Sequence, residues 1–391
     1  MESSQYLDEL SKCVRCGSCK AFCPTYEEDS TESMSARGRL ALLWALSSGQ
    51  ITSSHILNDR IFGCMLCGKC EGLCPLAVDI KEVIYHGRTL LKKKDNQRKY
   101  LRFFTKLFIK KPGLTFKLLS AIHPVLFPYL LKKGTLPFRI ELPERHLKDR
   151  PQVFTVTKKR GRVAVFTGCV VNFLYPHLGE ALINVLLRLG YEIVLPANEV
   201  CCGMPLRTLG LEEEAVNLAK RNIETFKRLN VEAVLSLCPS CTLALKTEYP
   251  KLIGEGIDKA KDISSFFIDK IDPSRFTPSS DSRNAIYHDP CHLKYGLGIE
   301  REPREIIEKI GINLIRTEGD RCCGFAGLFC LSFMELSRQL LNKCTEEYTK
   351  AGGEVIITSC PGCIMQLSNE IKDKPVIHLI EAIEEALFQE K

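Results

Sequence analysis

KCVRCGSCKAFCP (residues 12–24) returns 51 positions later as GCMLCGKCEGLCP (residues 63–75). Both segments space their thiols as C-x2-C-x2-C-x3-C-P: Cys13, Cys16, Cys19 and Cys23, then Cys64, Cys67, Cys70 and Cys74. A C-x2-C pair brings two sulfurs to one iron-sized site. Three such thiolates wrap one side of a metal cube, and the following proline fixes the exit of the chain. Gly17 and Gly68, inside these loops, let the backbone approach.

Doubled runs of this kind hold two [4Fe-4S] clusters in bacterial ferredoxins, the fourth cysteine of each run crossing to the other cluster. The expected ligand sets are Cys13, Cys16 and Cys19 with Cys74, and Cys64, Cys67 and Cys70 with Cys23. Paired zinc knuckles are the alternative. Zinc sites close with four ligands, often as two C-x2-C pairs across a spacer, whereas all eight positions here match the cluster pattern.

The chain of 391 residues is long enough for two or three domains, and its 45% hydrophobic and 26% charged residues are ordinary for a globular protein. Its 20 cysteines against one tryptophan are not. The start, MESSQYLDELSKC, has no apolar secretion segment, so a cytoplasmic setting with reduced, metal-ligating thiols is expected rather than a disulfide framework. The longest uncharged apolar run, residues 118–131, has 14 residues and includes His123, Pro124 and Pro128. A spanning helix needs about 20, so no transmembrane helix is expected.

A second set of cysteines occupies the C-terminal half. Cys169, Cys201-Cys202-Gly203 and the pair Cys238 and Cys241 recur 121 or 122 positions later as Cys291, Cys322-Cys323-Gly324 and the pair Cys360 and Cys363. This is the mark of a duplicated domain, with one residue lost between the first cysteine and the CCG. Adjacent cysteines diverge at Cβ in most conformations and do not easily chelate one iron, so each CCG points to a site with several metals. Zinc in one repeat is the alternative. Cys330 and Cys344 fit neither pattern and read as small buried apolar residues on a helix.

Short apolar runs lead into these cysteines: residues 162–166, 191–195 and 233–237 in the first repeat, with a helix over 180–189, and residues 285–287, 313–316 and 355–358 in the second. Strands alternating with helices imply parallel sheets, whose ligand sites lie beyond the carboxyl ends of the strands, so the five cysteines of each repeat should share one rim. The fold expected is multidomain α/β with α+β character. An N-terminal α-helical two-cluster ferredoxin-like domain (1–90) and a basic amphipathic helical connector (91–160) precede two duplicated α/β cysteine-rich domains with parallel sheets (161–275 and 283–391).

Motif order carries a family resemblance. KCVRCGSCKAFCPTY, SARGRL and GCMLCGKCEGLCP, followed by HDPCHLKYGLGIEREPREIIE, DRCCGFAG and TSCPGC, resemble the glycolate oxidase iron–sulfur subunit over nearly the whole chain. That family is related to the iron–sulfur subunits of heterodisulfide reductase and anaerobic glycerol-3-phosphate dehydrogenase. The resemblance implies that a complete CCG repeat binds a non-cubane [4Fe-4S] cluster. Cys169, Cys201, Cys202, Cys238 and Cys241 match it, as do Cys291, Cys322, Cys323, Cys360 and Cys363. It further implies one or two such clusters beside the two ferredoxin-type ones, a partner FAD subunit carrying the glycolate or lactate site, and quinone or another carrier as acceptor. Some glycolate-type relatives lack one cysteine of the final C-x2-C. Retention of both Cys360 and Cys363 leaves a disulfide-reducing enzyme, with chemistry at the CCG clusters, as the alternative.

Clusters pass single electrons, whereas oxidation of a hydroxy acid removes two, so an organic cofactor must split the pair. The sequence has no G-x-G-x-x-G between strand and helix, no Walker loop and no H-E-x-x-H, which places the flavin on another polypeptide. The formal charge of +7 is uneven: residues 88–133 hold 13 Lys or Arg and one acid, Asp95. Phe103, Phe104, Leu107, Phe108, Phe116, Leu118 and Leu119 are interleaved with those cations. The segment is either a membrane-surface element on the inner face of the cell membrane or a connector packed on protein, and no nucleic-acid module surrounds it. His288, Asp289 and His292 around Cys291 are expected to hydrogen-bond cluster sulfur or cap the loop rather than to ligate. Arg37 and Arg39 are expected to pair acids of a partner or of the ferredoxin-like fold.

Overall fold

The computed structural model describes residues 3–273 and 283–388; the expected boundary residues 275–282 and the final residues 389–391 lie outside the described residues. Ser3–Ser11, Ala36–Ser47, His55–Phe62 and Ile80–Leu91 are helices that bracket the two cysteine runs, and Lys99–Lys110 and Pro112–Lys132 follow. Ser35, Ser54 and Asp79 cap three of them by accepting from the amides of Gly38, Leu57 and Glu82. Tyr6, Leu10, Leu40, Leu43, Ile61, Val83 and Ile84 bury the inward faces in one core. This end is helical, as expected. Among the described residues before Val153 there is no strand, because the segments between helices are short loops closed on C-x2-C turns.

The remaining chain builds two sheets. The first contains β1 (Val153–Phe154), β2 (Gly161–Val165), β3 (Tyr191–Val194), β4 (Ala233–Ser236) and β5 (Ala260–Asp262) in the order β1-β3-β2-β4-β5. The second contains β6 (Asn284–His288), β7 (Asn313–Ile315), β8 (Val355–Thr358) and β9 (Val376–His378) in the order β7-β6-β8-β9. All pairings are parallel except β1 with β3. The duplication holds in register: Val163 faces Ala233 as Ala285 faces Val355, and Val234 faces Ala260 as Ile356 faces Val376. Arg162 faces Glu192 as Asn284 faces Asn313, so the missing residue falls between the first two parallel strands of the second repeat.

Three local expectations change. The helix placed over 180–189 starts earlier, as Pro176–Arg188, because proline suits the first helical position. The connector is not helical to residue 160: its end supplies β1, an antiparallel edge strand formed by Val153 and Phe154. The apolar run at 118–131 sits in a helix of 21 residues, Pro112–Lys132, which continues through Lys117 and contains Pro124 and Pro128. By length and composition alone this helix is long and apolar enough to cross a membrane.

The repeats pack on each other by exchanging equivalent contacts. Pro176–Arg188 lies against Leu379–Phe388, and its counterpart Arg301–Lys309 lies against Ile263–Phe267. Near the thiols, Pro239–Leu243 meets His292–Gly296, and Pro361–Glu370 meets Gly168–Phe173. Each contact joins a cysteine-bearing turn of one repeat to one of the other, as in an isologous interface folded into one chain. Val163, Leu182, Ile193 and Leu235 share a single core with Ile306, Ile357, Leu379 and Ile383.

Candidate metal centres

Cys13, Cys16, Cys19 and Cys74 line one cavity, and Cys23, Cys64, Cys67 and Cys70 line a second. The structure thus brings together the two crossed sets expected from the spacing. Cys23 crosses because it precedes Pro24 at the start of the short helix Pro24–Asp29, which carries its side chain away from its own loop. Gly17 and Gly68 adopt φ values of +91° and +81°, which glycine alone takes without strain.

Two arginines brace these loops. Arg39, fully buried, donates to the Arg60 carbonyl at 2.7 Å, Thr25 Oγ1 at 2.9 Å and the Gly63 carbonyl at 3.0 Å, so one side chain ties Cys23's turn to the start of the second run. Arg37 donates to the Arg15 carbonyl at 2.9 Å inside the first run and pairs Glu32. Among the described residues no carboxylate lines either cavity, whereas Arg37, Arg39, Lys69 and Lys81 do. Burial pushes the Cys67 thiol up to about 12. Four sulfurs in an apolar cavity rimmed by cations are the donor set an iron–sulfur cluster with net negative charge requires, so the residues present fit that group.

In the first repeat the sulfurs form a continuous chain of contacts: Cys169 with Cys201, Cys201 with Cys202, Cys202 with Cys241, and Cys241 with Cys238. Contacts with Cys201 and Cys241 pull the Cys202 thiol down to about 6 although it is buried. In the second repeat Cys323 and Cys363 Sγ are 3.3 Å apart. Contact with Cys363, and then with His288, holds the Cys323 thiol well below its ordinary value. Burial raises Cys291 and Cys322, and the nearby sulfur of Cys67 adds to both.

Local chain geometry explains the motif. Gly324 has φ +77°, and a Cβ there would stand 2.3 Å from the Ser337 carbonyl oxygen, so only glycine can follow the two cysteines. Cys238 and Cys360 each sit at the N-cap and precede a proline at the first helical position, which fixes the exit of the chain from the cysteine turn. Five sulfurs per repeat, two of them adjacent, suit a multinuclear cluster better than a single tetrahedral ion.

The residues around Cys291 divide by role. Asp289 is engaged by Arg304 at 2.6 and 2.9 Å, so it organises the loop and does not turn to a sulfur. His292 joins three cysteine loops: Nδ1 lies 2.8 Å from Ser240 Oγ, between Cys238 and Cys241, and Nε2 lies 3.2 Å from the carbonyl oxygen of Leu66, between Cys64 and Cys67. Its expected capping role therefore reaches across domains. Cys330 and Cys344 are fully buried on helices Phe329–Ser332 and Met334–Ala351.

Two features escaped the sequence reading. The buried Glu199 carboxylate accepts from the Thr167 amide, Thr167 Oγ1 and the Gly168 amide at 2.8–3.0 Å, fixing the turn that carries Cys169. A repeated signal existed, since Glu199 and Asp320 each stand two residues before a CCG. The second is a buried ionic cluster. Arg207 pairs Glu82 and Glu248, Lys81 lies 3.4 Å from Glu248, and the guanidinium stacks 4.0 Å over the Tyr85 ring. It fastens helix Ile80–Leu91 to the residues just after the first CCG.

Comparison with known proteins agrees with this geometry. Residues 9–78 match the 4Fe-4S dicluster domain, and residues 163–246 and 285–368 each match the cysteine-rich domain CCG. The chain is 28% identical to the glycolate oxidase iron-sulfur subunit of Escherichia coli (strain K12), covering 97% of this chain and 95% of that protein. It is also 28% identical to one subunit of the dihydromethanophenazine:CoB–CoM heterodisulfide reductase of Methanosarcina acetivorans, covering 91% of this chain and 88% of that one. A crystal structure of a hypothetical protein from Helicobacter pylori shares the fold, with a TM-score of 0.58 at 12% identity over 100% of this chain and 74% of the other. The chain thus joins a 4Fe-4S dicluster domain to two CCG cysteine-rich domains, in this order, and over nearly its whole length it is similar to glycolate oxidase iron–sulfur subunits and to this heterodisulfide reductase component.

Proposed function

We propose that this chain is the electron-transfer subunit of a flavin-dependent 2-hydroxy-acid dehydrogenase, of the glycolate or lactate type, which passes electrons from a partner FAD subunit towards quinone or another carrier. The carrying observation is the seating of the Cys64–Cys67 loop on the second repeat, with His292 bonded to Leu66 and Cys67 close enough to act on Cys291 and Cys322. Bound [4Fe-4S] clusters would supply one-electron carriers. Cys13, Cys16, Cys19 and Cys74 would hold one, Cys23, Cys64, Cys67 and Cys70 a second, and the five cysteines of each CCG repeat one more apiece. The chain's own residues exclude water by burial, fix loop spacing through Arg39 and His292, and set local charge with Arg37, Lys69 and Lys81.

The experiment is anaerobic mixing of the holoprotein with its FAD-binding partner subunit and a hydroxy acid. Cluster absorbance is expected to bleach on adding glycolate or lactate when both subunits are present, and not with this chain alone. No bleaching with a flavoprotein that is itself reduced by the acid would contradict the reading.

A second reading, disulfide reduction at the CCG sites, is favoured by the convergence of both Cys360 and Cys363 on the second site and by the likeness to the heterodisulfide reductase of Methanosarcina acetivorans. It requires turnover of a disulfide with a low-potential donor and no flavoprotein. We also infer a cytoplasmic location with peripheral contact to the inner face of the cell membrane. Supporting it, helix Pro112–Lys132 exposes Leu114, Leu118, Ile122, Val125 and Tyr129, and residues 96–140 contain no acid.

A further inference from the structure

The two repeats agree in register, yet one corner differs in chemistry. In the first, Phe166, the residue just after β2, packs against Phe226 with ring centroids 5.7 Å apart. At the equivalent positions, 122 residues on, stand His288 and Tyr348, with centroids 5.9 Å apart. Asn222 of the first repeat is matched by Cys344. An apolar ring pair behind the first set of sulfurs has thus become a polar triad behind the second.

That triad has a direction. His288 is buried to 1% exposure, and its Nδ1 lies 2.6 Å from the Tyr348 hydroxyl and 3.9 Å from Cys344 Sγ. A ring nitrogen of the same imidazole and the sulfurs of Cys323 and Cys363 all lie within 4.8 Å of one another. Among the described residues no equivalent grouping of histidine with cysteines occurs in the first repeat. A buried imidazole held at Nδ1 by a hydroxyl is fixed in orientation, here with a ring nitrogen close to two sulfurs of the site.

We propose that His288 is a positioning residue for the second CCG site alone, its ring N–H donating to the Cys323 sulfur and making that site accept an electron at a higher potential than the first. Hydrogen bonds to cluster sulfur draw charge from the thiolate and stabilise the reduced form. Phe166 can offer no such bond. The two sites are therefore inequivalent, and the one facing the Cys64–Cys67 loop is the preferred seat for an electron. This rests on the cluster-binding reading given above.

The test is an anaerobic redox titration of the full-length holoprotein followed by electron paramagnetic resonance, with iron counted on the same samples. His288→Phe installs the first repeat's residue. Its expected effect is a downward shift of one CCG midpoint towards the other, with the ferredoxin-type midpoints and the iron content unchanged. His288→Gln, which keeps an N–H donor, is expected to recover part of the shift. Where phenylalanine unloads the site, Phe166→His supplies the converse: an upward shift of the first site's midpoint. Unmoved midpoints in an iron-replete His288→Phe or Phe166→His protein would overturn the proposal. Wild-type protein with no iron in the CCG repeats would instead overturn the cluster reading beneath it.

Discussion

Arg207 meets Glu82 at 2.6 and 2.8 Å, joining a helix of the N-terminal unit to the helix that follows the first CCG. Both side chains are buried, as are their neighbours Lys81 and Glu248. Removing one carboxylate from such a cluster leaves a buried positive charge in excess, which costs about 3–5 kcal/mol. Glu82→Ala is therefore expected to destabilise the holoprotein by that amount in denaturant titrations. A loss below about 1 kcal/mol, the scale of an exposed pair, would show that the cluster does not hold the interface.

Cys16 is one of four sulfurs lining the first ferredoxin-type cavity. Cys16→Ser is expected to remove about 4 iron per chain while leaving the CCG domains folded and loaded. Electron transfer from the flavoprotein should be interrupted as well. Unchanged iron and unchanged transfer would contradict the assignment of this loop.

Much of this arrangement is legible in the sequence because thiol ligation tolerates little variation in spacing. The crossed sets and the 122-residue duplication can be counted directly, and the repeated strand register follows from the second. The Arg207–Glu82 pair cannot be read so, since its partners lie 125 positions apart and nothing local marks them. β1 was hidden by its two-residue length, and Pro112–Lys132 by Pro124 and Pro128, which read as breakers but leave this helix continuous. Glu199 carries a local signal, its repeat at Asp320, but an acid is not a ligand in this cysteine pattern, so the spacing alone gives it no role.

Asp262 caps helix Ile263–Phe267 by accepting from the Ser264 amide at 2.8 Å, while its buried Oδ2 has no hydrogen-bond partner. Burial pushes its carboxyl up from 3.8 to about 6. The folded state then holds the proton more tightly than the unfolded chain, so stability falls as pH rises through 3.8 to about 6, and the cost is full above that. Asp262→Asn keeps the capping oxygen without the charge. Relative to wild type it is expected to be more stable at pH ~7.5, by up to about 3 kcal/mol, with a smaller gap at pH ~5.5. Equal stability at both values would contradict a charged, unpaired carboxylate.

Helix Pro112–Lys132 presents its apolar side to solvent, with Val125 80% exposed. The holoprotein is expected to float with vesicles containing anionic lipid and to lose that binding in high salt. The double substitution Leu118→Glu and Val125→Glu should abolish flotation without changing iron content. Failure of the unmodified holoprotein to float would remove the membrane contact.

The proposed electron transfer requires iron–sulfur clusters in all four cysteine groups, and the deciding measurement is iron, zinc and acid-labile sulfide per chain in anaerobically purified protein. Four [4Fe-4S] clusters predict about 16 iron, about 16 sulfide and no zinc. About 8 iron accompanied by one or two zinc would contradict that requirement, leaving the two CCG repeats as structural metal sites rather than electron carriers.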